Sequence, residues 1–160
     1  MEKVAIEEIE SFVSAAACFR PLSTALGTDH VAINHYELEP GDSFGFCYHR
    51  HHEQEEVFVV ESGTVTFETE SGDVPVSAGE LVRFGPGEFQ RGTNRGTERV
   101  VALALGAPRV ENERVDLRRD CPACGERTEA EMSREDGDED EAAIVAECAV
   151  CGAETGRFTA

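Results

Sequence analysis

The chain has no tryptophan, only two tyrosines, and a single lysine, Lys3, beside thirteen arginines. Its 14 basic residues face 33 acidic ones, a formal net charge of −19. Phosphate backbones would be repelled and no basic stripe interrupts the acid, so electrostatic nucleic-acid binding is excluded, as is attachment to an anionic membrane surface. No apolar run approaches the roughly 18 residues of a spanning helix; the longest, VVALALGA at Val100 to Ala107, is of strand length. The opening MEKVAIEEIE lacks the basic-then-apolar order of an export signal, so a soluble cytoplasmic protein is expected. Acid is spread along the chain: residues 1–110 carry 18 acidic and 8 basic groups, residues 111–160 carry 15 and 6. At molar salt the Debye length falls to about 3 Å and such self-repulsion becomes tolerable, which suits a protein of halophilic type.

Hydrophobic residues make up 40%, enough for a packed core. From Val31 to Pro108 the chain reads as short strands separated by turns: VAINHYEL before Pro40-Gly41, then FGFCYHRHH, EVFVV, TVTFETE, DVPVSAGELVRF before Gly85-Pro86-Gly87, and RVVALAL. Strands at intervals of about 8–12 residues with Gly/Pro punctuation predict an all-β sandwich or barrel. Residues 1–30 form an N-terminal arm in which VAIEEIESFV reads equally as a helical face or an edge strand.

The stretch from His49 to Glu56 holds three histidines and three glutamates. Strand alternation puts Cys47, His49 and His51 on one face, and imidazoles at i and i+2 share the space that a mononuclear metal site needs. Glu53, Glu55 and Glu56 are all available to add a carboxylate. His52 falls on the opposite face and is expected exposed. His35 could reach the same space but is read as a surface or hydrogen-bonded histidine, and His30 as a turn residue. Cys47 reads as a small buried hydrophobe, with a redox-sensitive thiol beside the metal as the alternative; Cys18 reads as buried only. Arg83 and Arg91 could hold an anionic ligand bidentately, and Phe44, Phe46, Phe84 and Phe89 read as core or pocket wall.

This stretch resembles the first motif of the cupins, in the form His49-x-His51-x4-Glu56-x6-Gly63; the spacing to Gly63 selects Glu56, provided a turn after His51 resets the alternation. GELVRFGPGEFQRGTN, Gly79 to Asn94, resembles the second motif, with Gly79, Gly87 and Asn94 at the expected places. It departs at Pro86, displaced next to Gly87, and at Gln90, which stands where that motif has a histidine. The resemblance, over Val31 to Leu105, implies a jelly-roll β-barrel across residues 31–108 with a metal in its mouth, held by His49, His51, Glu56 and Gln90. Such a set suits Fe, Mn, Ni or Zn, the amide oxygen being a weaker, harder ligand than imidazole; the alternative is a site without metal in which Gln90 is only hydrogen-bonded.

After a polar linker, residues 109–119, the pairs CPACG and CAVCG present Cys121, Cys124, Cys148 and Cys151 with 23 residues between the inner cysteines. Two CxxC knuckles in a chain without an export signal read as a tetrahedral zinc site and not a disulfide framework. Residues 120–160 resemble a zinc ribbon, and REDGDEDE between the knuckles reads as a solvated loop tip. The ribbon cannot bury enough surface to fold without its metal.

Three functions stay open on the sequence: a metal-dependent enzyme, a dioxygenase or an isomerase, acting on a small polar or anionic molecule in the barrel; a non-enzymatic module that senses a small molecule or metal and whose ribbon docks a partner protein; and a purely structural role with the barrel as a dimerisation unit. The resemblance also implies a homodimer.

Overall fold

Alternating apolar residues become the inner faces of two antiparallel sheets in the computed structural model, which describes residues 1–135 and 143–159. The elements in chain order are β1 (Cys18–Pro21), α1 (Leu22–Leu26), β2 (Ala32–Leu38), β3 (Tyr48–His51), β4 (Glu55–Ser62), β5 (Thr64–Thr69), β6 (Gly72–Ser77), β7 (Leu81–Phe84), β8 (Gln90–Thr93), β9 (Val100–Ala107), β10 (Val115–Cys121), β11 (Glu126–Glu135), β12 (Ala143–Cys148) and β13 (Glu154–Thr159). One sheet has the order β1-β2-β9-β4-β7, the other β13-β12-β11-β10-β3-β8-β5-β6. No helix among the described residues is long and apolar enough to cross a membrane.

The core lies between the sheets. β9 alternates buried and half-buried positions throughout, sending Val100, Ala102 and Ala104 inward. β4 supplies Phe58 and Val60, and β5 supplies Val65 and Phe67. Phe44, Phe58, Phe67 and Phe84 form a chain of ring contacts, with centroids 4.8 Å (Phe44–Phe58), 4.9 Å (Phe58–Phe67) and 5.2 Å (Phe67–Phe84) apart, the spacing at which aromatic pairs add to plain burial. Gly63 joins β4 to β5 at φ +75°, and a Cβ there would lie 2.9 Å from the Arg99 carbonyl oxygen. Both the left-handed backbone and the close approach require glycine. Asn94 is fully buried; its amide donates to the carbonyls of Leu38 (2.9 Å) and Glu98 (2.8 Å), so this motif residue closes a turn and binds nothing in the pocket.

Three segments differ from the sequence reading. The N-terminal arm contains β1, paired with β2, and α1, while VAIEEIESFV forms neither a long helix nor a strand; only a 3₁₀ turn, Ile6–Glu8, appears there. The last part of the expected linker, residues 115–119, is strand: β10 begins at Val115, pairs with β3 and continues to Cys121. Its polar composition hid a two-residue alternation, Val115 and Leu117 inward, Asp116 and Arg118 outward. β8 was not separable from its flanking turns in sequence. The acidic run 134–141 lies, from residue 136 onward, outside the described residues.

Candidate metal centre

β3 ends at His51 and β4 begins at Glu55 in the other sheet, so the intervening turn resets the alternation as the motif required. His49 and His51 project from β3 to the same side, their rings 5.4 Å apart and nearly perpendicular. Glu56 enters from β4 and lies between them: Oε2 is 3.6 Å from His49 Nε2 and Oε1 is 3.5 Å from His51 Nε2. Gln90 faces His49 across the β3–β8 ladder and is 1% exposed. Its amide nitrogen donates to Glu56 Oε2 (2.8 Å) and lies 3.1 Å from His49 Nε2. Gly87, in the turn before β8, donates its N–H to the His51 carbonyl (2.7 Å), which fixes that turn against β3.

The second ring nitrogens fix the tautomers. His49 Nδ1 is 3.0 Å from the Cys47 carbonyl oxygen, which can only accept, so Nδ1 carries the hydrogen. His51 Nδ1 donates to Glu113 Oε2 at 2.8 Å. Glu113 is itself held by the backbone N–H groups of Glu53 (3.0 Å) and Gln54 (2.7 Å) on its other oxygen. Both Nε2 atoms are therefore left facing Glu56, the arrangement in which imidazoles bind metals while an outer partner orients each ring. Burial works against charge on His51, but Glu56 and then Glu113 outweigh it and raise its pKa to about 9. Burial likewise opposes the Glu56 charge, and the hydrogen bonds and charges of His49 and His51 overcome it, holding Glu56 well below the usual carboxylate range.

The donor set fits a divalent ion. One ion at about 2.1 Å from each ligand atom needs donors roughly 3.0–3.4 Å apart; the two His–Glu56 separations, 3.6 and 3.5 Å, are within a few tenths of that, and the three ligand atoms lie within 4.8 Å of one another. Gln90 Oε1 is buried without a hydrogen-bond partner. A half-turn of the amide exchanges oxygen and nitrogen and gives that orphan acceptor an ion to bind, since the two amide atoms have nearly the same shape. The pocket above these residues is lined by Asn34, Tyr36, Phe44, Phe58 and Ala104. Burial, helped by the Glu56 charge, pushes the Tyr36 phenol up, so it stays protonated.

Several expectations change at this point. Arg83 pairs with Glu55 on the outside, and Arg91, one residue beyond Gln90, points to the outer face with one N–H on Ser43 Oγ at 3.3 Å; neither lines the pocket. His35 is not a surface residue but 6% exposed, with Nδ1 unpartnered, on the side of β2 away from the pocket. His52 is half-buried and paired with Asp116 at 3.0 Å. Cys47 is buried, and burial pushes its thiol up despite Arg119, which argues against an activated thiolate. Glu113 was missed: it stands in the polar linker, and only the β3–β10 pairing brings it to His51. A third group with metal-ligand chemistry, Cys18, His35 and Glu37, is already engaged by a guanidinium, because Arg20 donates to Cys18 Sγ (2.7 Å) and Glu37 (3.0 Å).

At the far end of β10 the four cysteines converge. Sγ of Cys121 is 3.6 Å from that of Cys151, and Cys124 is 3.8 Å from Cys148. A tetrahedron with bonds of about 2.3 Å has an edge of about 3.8 Å, whereas a disulfide needs about 2.05 Å. Thr128 Oγ1, 3.1 Å from Cys148 Sγ, leads the contacts that lower that thiol to about 6, together with the N–H groups of Cys151 and Val150.

Residues 34–106 match the cupin domain family. A comparison with curated proteins finds no match. Solved structures similar to the chain include a sugar phosphate isomerase from Silicibacter pomeroyi (20% identity, TM-score 0.66, 99% of this chain and 91% of that one). Others are a putative sugar phosphate isomerase from Acidithiobacillus ferrooxidans (27%, 0.63, 78% and 81%) and the polyketide cyclase RemF from Streptomyces resistomycificus (21%, 0.57, 72% and 83%). Two packed antiparallel sheets and the match over residues 34–106 together give this part of the chain the all-β jelly-roll fold of the cupins.

Proposed function

We propose that the barrel binds a divalent transition metal, Fe, Mn, Ni or Zn, through His49 Nε2, His51 Nε2, Glu56 and the Gln90 amide oxygen, and that the protein is a metal-dependent enzyme acting on a small oxygen-rich molecule. The observation that carries this is the convergence of both Nε2 atoms on Glu56 with each Nδ1 pinned from behind. A bound ion would supply Lewis acidity to a carbonyl or hydroxyl oxygen. Tyr36 and Asn34 offer a phenol and an amide to orient that molecule, and Phe44, Phe58 and Ala104 keep water from its back. Among the described residues no arginine or lysine lines the pocket, which favours a neutral hydroxy-carbonyl compound over a phosphate ester. The similar structures described as sugar phosphate isomerases support isomerisation as the reaction. The cysteine cluster is proposed as a zinc ribbon with a structural ion, in accord with its tetrahedral edge lengths.

Elemental analysis of the protein and of a His49→Ala/His51→Ala variant tests the assignment. Two metal equivalents falling to one, with partial loss in Gln90→Ala, is the expected result. One zinc equivalent in all three proteins would refute the barrel site. A second reading, a sensing module that docks a partner through the ribbon, draws on the lack, among the described residues, of any ionisable pocket side chain beyond the ligand set and Tyr36, and on Val150, 73% exposed in the second knuckle. Metal-loaded protein that interconverts no aldose–ketose pair yet binds a polyol by calorimetry would favour it.

A further inference from the structure

The inward face of the second sheet continues past the histidines. β10 runs beside β3 with Leu117 opposite His49 and Val115 opposite His51, and facing partners in a ladder project to the same side. β11 adds Met132, whose sulfur is 3.7 Å from the Cys47 thiol. With Phe46 these residues line an open-sided apolar cavity of about 250 Å³. His49, His51 and Gly45 form its wall on one side and also line the polar pocket, so the two spaces abut across the imidazoles. Val115, Leu117 and Met132 all lie beyond the matched cupin segment, on strands that the C-terminal part of the chain adds to the barrel sheet. All three, and Phe46, remain half-buried.

We propose that this shelf is a subsite for an alkyl or aryl group carried by the same small molecule whose oxygen atoms engage His49, His51 and Glu56. The polar end of the inference rests on the metal-site reading; the apolar end is tested without it. An apolar cavity of about 150 Å³ accepts benzene, so the shelf has room for a ring or a six-carbon chain. The occupant is one molecule and not two because the two pockets share Gly45, His49 and His51 in their linings, so a head group held at the imidazoles has its tail beside the shelf. Leu117 and Met132 thereby become specificity-determining residues, and the C-terminal strands become part of the binding site.

Met1 and Met132 are the only methionines, and Met1 is fully exposed, so ¹³C-methyl-methionine labelling of the full chain gives one resonance that reads the shelf. The probes are acetohydroxamate, hexanohydroxamate and 1-hexanol, with the barrel supplied with Ni(II). Hexanol, which has no chelating head, should shift the Met132 methyl saturably and leave Met1 unmoved. A shelf that covers one side of a chain is worth about twofold in affinity per methylene, so hexanohydroxamate should bind about 15-fold tighter than acetohydroxamate. Leu117→Asn should flatten that difference, and Val115→Asn serves if the first variant fails to fold. Equal binding of the two hydroxamates with a silent Met132 overturns the shelf and leaves the metal site standing. No hydroxamate binding, but a hexanol shift at Met132, upholds the shelf and removes the metal reading. A Met132 shift that follows protein concentration and ignores hexanol makes a second copy of the chain the occupant and overturns the proposal.

Discussion

Replacing Glu113 by alanine removes the acceptor for His51 Nδ1–H, at 2.8 Å, and leaves the N–H groups of Glu53 and Gln54 without their carboxylate. Loss of such an outer partner costs about 10–100-fold in metal affinity, or about 1.4–2.7 kcal/mol. A second effect has the opposite sign. Glu113 helps hold the proton on His51, whose pKa stands at about 9, and a metal must displace that proton. At pH 7, two units below, proton competition weakens binding by about 100-fold, and Glu113→Ala relieves the share that Glu113 causes. The two effects separate with pH. Nickel titrations by calorimetry, with the cysteine site already filled with zinc, should show the variant weaker by about 10–100-fold at pH 9 and by clearly less at pH 7. Equal affinity of variant and parent at pH 9 would refute the positioning role of Glu113, and a deficit that shrinks from pH 7 to pH 9 would refute the account of the His51 proton.

Three further outcomes are expected. Burial lowers the pKa of His35 from 6.5, the Glu37 charge only partly opposing it; the unfolded chain then takes up a proton that the native state refuses, so stability is complete above pH 6.5 and declines below it. Urea midpoints at pH 7.5 and 5.5 should differ less in His35→Leu than in the parent. A Cβ at Gly92 would lie 2.6 Å from both Phe44 Cδ2 and Phe67 Cε1, so Gly92→Ala should cost about 1–3 kcal/mol by overpacking, read in a denaturant titration; a neutral result would mean that the two rings shift freely. Cys121→Ser should lose one zinc equivalent and the protease resistance of β11–β13, because a structural zinc contributes about 10–16 kcal/mol in comparable peptides; retained resistance would show those strands stable without the ion.

What the sequence revealed, and what it concealed, follow from where the information lies. The i, i+2 pair His49 and His51 and the offset to Glu56 are local patterns, and strand geometry converts them directly into a converging site. Gln90 was reached only through the spacing of a resembling motif, and the ladder that sets it against His49 supplied the geometry. Glu113 had no signal of its own: a glutamate in RVENERVDLRRD looks like any solvated charge until β10 docks on β3. Val115 and Leu117 did carry an alternation, but two apolar residues among the four charges of β10 fall below what a period can establish. The N-terminal arm was ambiguous for a related reason, since β1 is only four residues long and depends on β2 for its partners. Arg83 and Arg91 illustrate the reverse error, in which closeness in sequence to the motif did not translate into closeness in space.

The strand that bears both imidazoles has an unusual place in the order of synthesis. β3 is bonded to β8 and β10 and to no other named strand: His49 pairs with Gln90, 41 positions later, and with Leu117, 68 positions later. A nascent chain emerging N-terminus first can join β1 to β2 and β5 to β6 early, while β3 waits for segments not yet made. Such long-range closures are slow because the chain gives up loop entropy before contacts reward it. The convergence of His49 and His51 on Glu56 therefore depends, for its strand partners, on segments made after both histidines.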